Sequence, residues 1–269
     1  MKYLFWGTPD FASTILEKLI AADLKPFIVV TNPDRPFGRN KVITASPVKV
    51  LAEKNNILTL TPETLDEAFY NKIKDLDFGF SVLAAYGKIL PANIISVKPI
   101  VVVHPSLLPK YRGATPIQTA LLNGDQETGT SLFYMDEKVD HGPIIIQKNL
   151  EIDEADNYLS LAKKLANLSA EALIETLPNL NSIEAKKQDH AAATFTKKIS
   201  TEMAEVNLAT DSPEIIYHKI KALNPEPGTF TFLNNKRVKL LETQKENGKV
   251  VITKTQTEGE TPKSNHINL

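Results

Sequence analysis

The chain has 269 residues, 42% of them hydrophobic and 23% charged, with 31 Lys+Arg against 32 Asp+Glu. That length suits one large or two ordinary domains, whose cores need no disulfide or metal staple. The net charge of -1 excludes a global basic field, and the absence of cysteine excludes disulfides, thiolate nucleophiles, cysteine zinc fingers and iron–sulfur clusters.

The opening MKYLFWGTPD meets Gly7 and Pro9 after one apolar run too short for a signal peptide. No stretch supplies the roughly 18 apolar residues of a membrane span. A soluble, cytoplasmic chain with no membrane partner is therefore expected. Lys2–Trp6 reads as a buried strand, with Thr8 as N-cap and Pro9 at the first position of a helix whose face carries Phe11, Ile15, Leu16 and Leu19. A strand follows at Pro26–Thr31, then helices at Pro47–Asn55 and Leu65–Leu76 and a strand at Gly79–Ala84. Ile100–His104, the most β-branched segment, is the next strand, before a short helix at Pro116–Leu122. Thr130–Met135 and Ile144–Gln147 read as strands and Tyr158–Leu177 as a long amphipathic helix. This alternation is that of an α/β, Rossmann-like domain over 1–178, a mainly parallel sheet with helices on both faces.

Beyond Pro178 the pattern changes. Residues 179–212 lack a sustained period and suit a linker, followed by a helix at Pro213–Leu223 and the breaker Asn224-Pro-Glu-Pro-Gly228. Thr229–Leu233, Arg237–Glu242 and Lys249–Thr255 are β-rich, and the polar stretch Thr257–Leu269 reads as disordered. The expectation is a small, β-rich C-terminal domain over 213–269, a reduced or truncated barrel.

Three segments carry candidate chemistry. The loop Asn32–Lys41 is long for a βα connection and holds Arg35 and Arg39, two of only four arginines. Arginine suits bidentate contact with phosphate, while a solvated loop with stray charges is the competing reading. His104, at the C-terminal end of a buried strand, lies where open α/β sheets place ligands and can act as a general base; a satisfied structural histidine is the alternative. Asp140, in the acidic loop Asp136–Pro143, could orient His104, or simply form an Asx turn. No His/Asp/Glu set has metal spacing, and Gly7-Thr-Pro-Asp10 is not a dinucleotide fingerprint.

Taken together, the motifs resemble the 10-formyltetrahydrofolate-dependent formyltransferase family, in its branch acting on methionyl-tRNA. They are Phe5-Trp-Gly-Thr-Pro-Asp-Phe11, Pro33-Asp-Arg-Pro-Phe-Gly-Arg39, Ser46-Pro-Val-Lys-Val-Leu-Ala52, Ala85-Tyr-Gly-Lys-Ile-Leu-Pro91, Ser106-Leu-Leu-Pro-Lys-Tyr-Arg-Gly-Ala-Thr-Pro-Ile-Gln118 and Met135-Asp-Glu-Lys-Val-Asp-His-Gly142. Weaker echoes lie at Ala193–Lys197 and Leu223–Gly228. The resemblance implies transfer of a formyl group from 10-formyltetrahydrofolate to the α-amine of methionine on initiator tRNA, by a monomer and without a metal. His104 matches the family's catalytic His and Asp140 its Asp. Ser106, Leu107, Leu108 and Pro109 match the folate-binding segment, and Tyr86, Ile89 and Leu90 would line the pterin pocket. Arg39, with Arg35 and Lys41, would meet the tRNA.

One position departs from the pattern. The family's catalytic Asn lies two residues before the His, where this chain has Val102. Residues i and i+2 of a strand share a face, so Val102 stands where an oxyanion donor is expected, and the loss of such a donor costs on the order of 10²–10³ in kcat. Formyl transfer to a sugar nucleotide or other small amine remains open as an alternative. So does a catalytically weak homologue that binds folate or tRNA.

Overall fold

The computed structural model describes residues 1–38 and 40–269. The chain opens with β1 (Tyr3–Gly7), α1 (Asp10–Ala21) and β2 (Ile28–Val30). Part of the stretch read as a loop then folds as a hairpin of β3 (Arg35–Phe37) and β4 (Val42–Thr44). Next come α2 (Pro47–Lys54), β5 (Leu58–Leu60), α3 (Glu67–Ile73), β6 (Phe80–Ala84), α4 (Ala92–Ile95) and β7 (Ile100–His104). They are followed by α5 (Pro116–Leu122), β8 (Glu127–Tyr134), β9 (Ile144–Glu151), α6 (Tyr158–Thr176) and α7 (Pro213–Leu223). The last elements are β10 (Phe230–Leu233), β11 (Lys236–Glu246), β12 (Lys249–Thr257) and β13 (Lys263–Asn268).

Local chemistry explains the helix starts. Ser46, Asp66 and Ser212 each accept a hydrogen bond from a backbone N–H in the first turn they precede, and Pro47 and Pro213 occupy first positions whose N–H has no helical partner. The first helix departs from expectation. Pro9 itself is the N-cap of α1, and the Thr8 hydroxyl donates instead to the Tyr86 carbonyl at 3.2 Å.

The chain forms two compact units. One comprises Met1–Arg112, Gly129–Leu150 and Lys163–Thr194; the other comprises Gly113–Thr128, Glu151–Ala162 and Phe195–Leu269. The first unit is built on a seven-stranded sheet in the order β5-β2-β1-β6-β7-β8-β9. Strands β5, β2, β1, β6 and β7 run parallel, and β8 turns antiparallel against β7. Strand alternation divides the core in two. Tyr3, Phe5, Val101 and Val103 pack with α1, α2 and α6 on one face. Leu4, Trp6, Ile100 and Val102 pack with α3 and α4 on the other. Helices therefore cover both faces, as a mainly parallel sheet requires.

In the second unit β10-β11-β12-β13 form an antiparallel sheet. Val206, Ile216, Ile220, Val238, Leu240 and Ile252 make its core. The expectation of a disordered tail is corrected here. Lys263–Asn268 is a strand, with Ile267 opposite Ile252 and Asn268 opposite Val251, and the Leu269 N–H donates to the Val250 carbonyl at 3.0 Å. An edge strand with a solvated face needs few apolar residues, because its order comes from main-chain bonds to its neighbour. Polarity there reports exposure, and disorder does not follow from it.

Candidate active site

Strand β7 is β-branched at four of its five positions and fully buried. It ends at Pro105, which has no N–H to continue a ladder. Val102 lies opposite Leu83 of β6 and Phe133 of β8, and His104 lies opposite Ser131. His104 is 5% exposed, with Nε2 2.8 Å from the Tyr111 carbonyl oxygen. A carbonyl only accepts, so Nε2 carries the hydrogen and a neutral ring presents its lone pair at Nδ1. That nitrogen stands 3.6 Å from Asp140 Oδ2, an ion-pair distance rather than a direct hydrogen bond. Such a pair can accept a proton and hold the resulting imidazolium against a carboxylate.

The segment after His104 is a tied loop. Ser106 is fully buried; its N–H donates to the His104 carbonyl and its hydroxyl to the Lys110 carbonyl. Ser131 Oγ donates to the Ser106 carbonyl at 2.6 Å and accepts from the Leu108 N–H at 3.0 Å. Gln147 Nε2 reaches both the Leu108 carbonyl and Ser131 Oγ at 2.8 Å. Ser131 and Gln147 thus fix the Ser106–Pro109 turn from neighbouring strands, a role that sequence spacing had not suggested. Opposite this loop Gly129 admits no side chain, since a Cβ would lie 2.3 Å from the Lys148 carbonyl oxygen and 2.5 Å from Leu107.

Tyr86, Leu90, Leu108 and Val102 belong to one apolar cluster with Trp6 and Phe133. The structure thus brings together residues drawn from three separate motifs. Tyr86 packs edge-on to Trp6, with ring centroids 5.3 Å apart. Its hydroxyl is buried without a hydrogen-bond partner, and burial pushes its pKa up to about 12, so it stays a proton donor. Asn32 Oδ1 is also buried and unpartnered, while its amide donates to the Tyr86 carbonyl at 3.0 Å. Ile89 is the exception among these residues: it is 96% exposed and lies outside the cluster.

Arg35 and Lys41 lie at the surface. Arg35 is exposed and pairs with Glu63 at 2.5 Å, and Lys41 lies in the hairpin turn at φ +49. Lys49 Nζ holds both oxygens of Asp34, at 2.9 and 2.8 Å, a bond that raises the lysine pKa. Arg39 lies outside the described residues.

A further polar group surrounds Asp140. Arg112, 3% exposed, donates to Gln188 Oε1 through Nε at 3.2 Å and Nη2 at 2.6 Å, and Nη2 also meets His190 Nδ1 at 2.9 Å. Gln188 Nε2 donates to the carbonyls of Asp140 and Gly142. His190 stacks on His141 with centroids 3.9 Å apart, and His141 Nδ1 contacts Asp136 at 2.7 Å. His190 is exposed, and Gln188 is buried and carried no motif in the sequence. The available signal was Arg112, one of four arginines, inside the Ser106–Gln118 motif and directly before Gly113.

Residues 1–177 match the Formyl transferase family, and residues 198–263 match its C-terminal domain. The chain belongs to the formyl transferase family. This formyltransferase is 41% identical over 245 residues to the methionyl-tRNA formyltransferase of Kosmotoga olearia, covering 89% of this chain and 78% of that one. It is likewise 41% identical over 250 residues to that of Thermotoga maritima, with the same coverage. Its fold is shared with a methionyl-tRNA formyltransferase from Clostridium thermocellum (TM-score 0.64, 18% identity, all of both chains). It is also shared with an N-formyltransferase from Helicobacter canadensis in complex with folinic acid and dTDP-3-aminofucose (TM-score 0.69, 18% identity, 99% of this chain and 100% of that one).

Among its described residues the formyltransferase has no helix long and apolar enough to cross a membrane, and no group of three or more His, Cys, Asp or Glu that could hold a metal.

Proposed function

We propose that this formyltransferase moves the formyl group of 10-formyltetrahydrofolate to the α-amine of methionine on initiator tRNA, in the cytoplasm and as a monomer. The observation that carries the reading is the His104–Asp140 pair at the end of β7, in a chain 41% identical to methionyl-tRNA formyltransferases over 89% of its length. His104 takes the proton from the attacking amine through Nδ1, and Asp140 faces the imidazolium that forms. A C–N bond forms between amine and formyl carbon, the bond from that carbon to the folate nitrogen breaks, and the proton leaves on that nitrogen. Tyr86, Leu90 and Leu108 supply apolar walls for the pterin ring, while the unpartnered Tyr86 hydroxyl and Asn32 Oδ1 offer its polar edge a donor and an acceptor. Ser106, Leu107 and Pro109 complete the folate segment, and Arg35, Arg39 and Lys41 meet tRNA phosphates.

Val102 limits this reaction. It shares the His104 face of β7 and packs among apolar residues, so it supplies no donor to the oxyanion that forms on the formyl oxygen. The test is single-turnover transfer from 10-formyltetrahydrofolate, with Met-tRNA and with a sugar-nucleotide amine as acceptors. Product on the tRNA alone supports the proposal. Product on the sugar alone selects the reading favoured by the fold shared with the Helicobacter enzyme. Folate binding with no product on either acceptor identifies a binding homologue.

A further inference from the structure

His104 and Asp140 come from distant parts of the chain, and their 3.6 Å approach must be held by something. Asp140 takes φ +45, a left-handed conformation uncommon outside glycine, although aspartate is among the residues that tolerate it. Gly142, two residues on, is locked: a Cβ there would sit 1.8 Å from the Tyr134 carbonyl oxygen. Between these two positions Gln188 Nε2 donates to the Asp140 carbonyl at 3.0 Å and to the Gly142 carbonyl at 2.7 Å. One amide group therefore brackets the turn that carries the carboxylate.

The amide cannot turn over. Its Oε1 accepts from Arg112 Nε and Nη2, so a flip would set oxygen against two carbonyl oxygens and NH₂ against a guanidinium. Arg112 follows Tyr111, whose carbonyl receives the His104 Nε2 hydrogen. Tyr111 and Arg112 are in turn laced to the Gln188 segment, through Tyr111 N–H to Thr194 Oγ1 at 2.8 Å and Arg112 N–H to the Thr194 carbonyl at 2.9 Å. One dipeptide thus sets the imidazole through its main chain and the carboxylate through its side chain.

From this geometry we propose that Gln188, oriented by Arg112, is a positioning residue that holds Asp140 against His104. Its effect on turnover rests on the formyl-transfer reading above. Its effect on the imidazole does not.

Two variants separate positioning from simple packing. Gln188→Met keeps length and volume but removes every polar contact. Gln188→Glu keeps an acceptor for Arg112 and sets a carboxylate oxygen against the Asp140 and Gly142 carbonyls. Both are expected to lower kcat between about tenfold and a hundredfold, the usual cost of a misplacement near 1 Å, with KM for both substrates changed less than twofold. In an Asp140→Asn background Gln188→Met should cost almost nothing more, because the two act as one unit. In the protein without substrates, the ¹⁵N resonances of the His104 ring should move in Gln188→Met in the direction they move in Asp140→Asn. Unmoved ring resonances, full activity in Gln188→Glu, or additive losses in the double variant would each overturn the proposal. A parent that transfers no formyl group would overturn the functional reading instead, and the ring resonances would still decide the role of Gln188.

Discussion

Placing an amide at position 102 tests the proposed mechanism most directly. Val102 is 5% exposed on the His104 face of β7, beside Leu83 and Phe133. An oxyanion donor is usually worth about 3–4 kcal/mol, or 10²–10³ in kcat. Asparagine is close to valine in volume, so Val102→Asn fits without overpacking, but its amide enters a cluster of Trp6, Tyr86, Leu108 and Phe133. Where no partner meets it, a buried amide costs about 1–3 kcal/mol of stability. That cost falls on the resting protein and leaves the transition-state gain intact. The expected outcome is a lower Tm together with a kcat raised at least about tenfold, which is about 1.4 kcal/mol and a conservative share of the donor's usual worth. Quenched single-turnover assays with saturating 10-formyltetrahydrofolate and Met-tRNA measure it. A folded Asn variant no faster than its parent would refute the missing-donor account.

Four further outcomes are expected. Tyr86→Phe removes a buried hydroxyl with no partner in the substrate-free protein, so its Tm should rise or hold, while the KM for the formyl donor rises several-fold; steady-state kinetics and calorimetry read the two effects separately. Gly142→Ala should lower Tm and reduce kcat at least about tenfold, since its Cβ cannot coexist with the Tyr134 carbonyl and the Asp140 turn must shift. His190, although exposed, has a lowered pKa, from partial desolvation first and then from His141, Arg112 and Lys138, with Asp136 acting in the opposite sense. The unfolded chain then binds the proton more readily, so stability should fall as pH drops below about 6.5, and His190→Gln should flatten that part of a Tm–pH curve. Arg39→Glu should raise the KM for Met-tRNA and steepen its loss with salt while sparing transfer to a small amine.

Much of this was legible from the sequence because it rests on local rules. The β-branched run Ile100–His104 announced β7, and the two-residue repeat of a strand is seen in its core contacts, with Ile100 and Val102 in one cluster and Val101 and Val103 in the other. The helices expected at Pro47–Asn55 and Pro213–Leu223 formed as α2 and α7, each behind a serine N-cap with proline at its first position. Beyond the reach of a local pattern were the three-residue strand β5, the β3–β4 hairpin and the edge strand β13. Each owes its order to hydrogen bonds with a partner strand, and no window of composition records a partner.

The same division runs through the candidate site. Residue types and their position singled out His104 and Asp140 as candidates, and the family resemblance added the Ser106–Pro109 turn and the departure at Val102. Only the folded chain decided that Tyr86, Leu90 and Leu108 share a wall with Val102 while Ile89 stands in solvent. It alone decided that Arg112, Gln188 and the Asp140 turn form one hydrogen-bonded chain. Spacing along a strand fixes which face a side chain takes, because the backbone repeats every two residues. A contact between positions 112, 140 and 188 depends on how loops return to one sheet end, which tertiary packing alone sets.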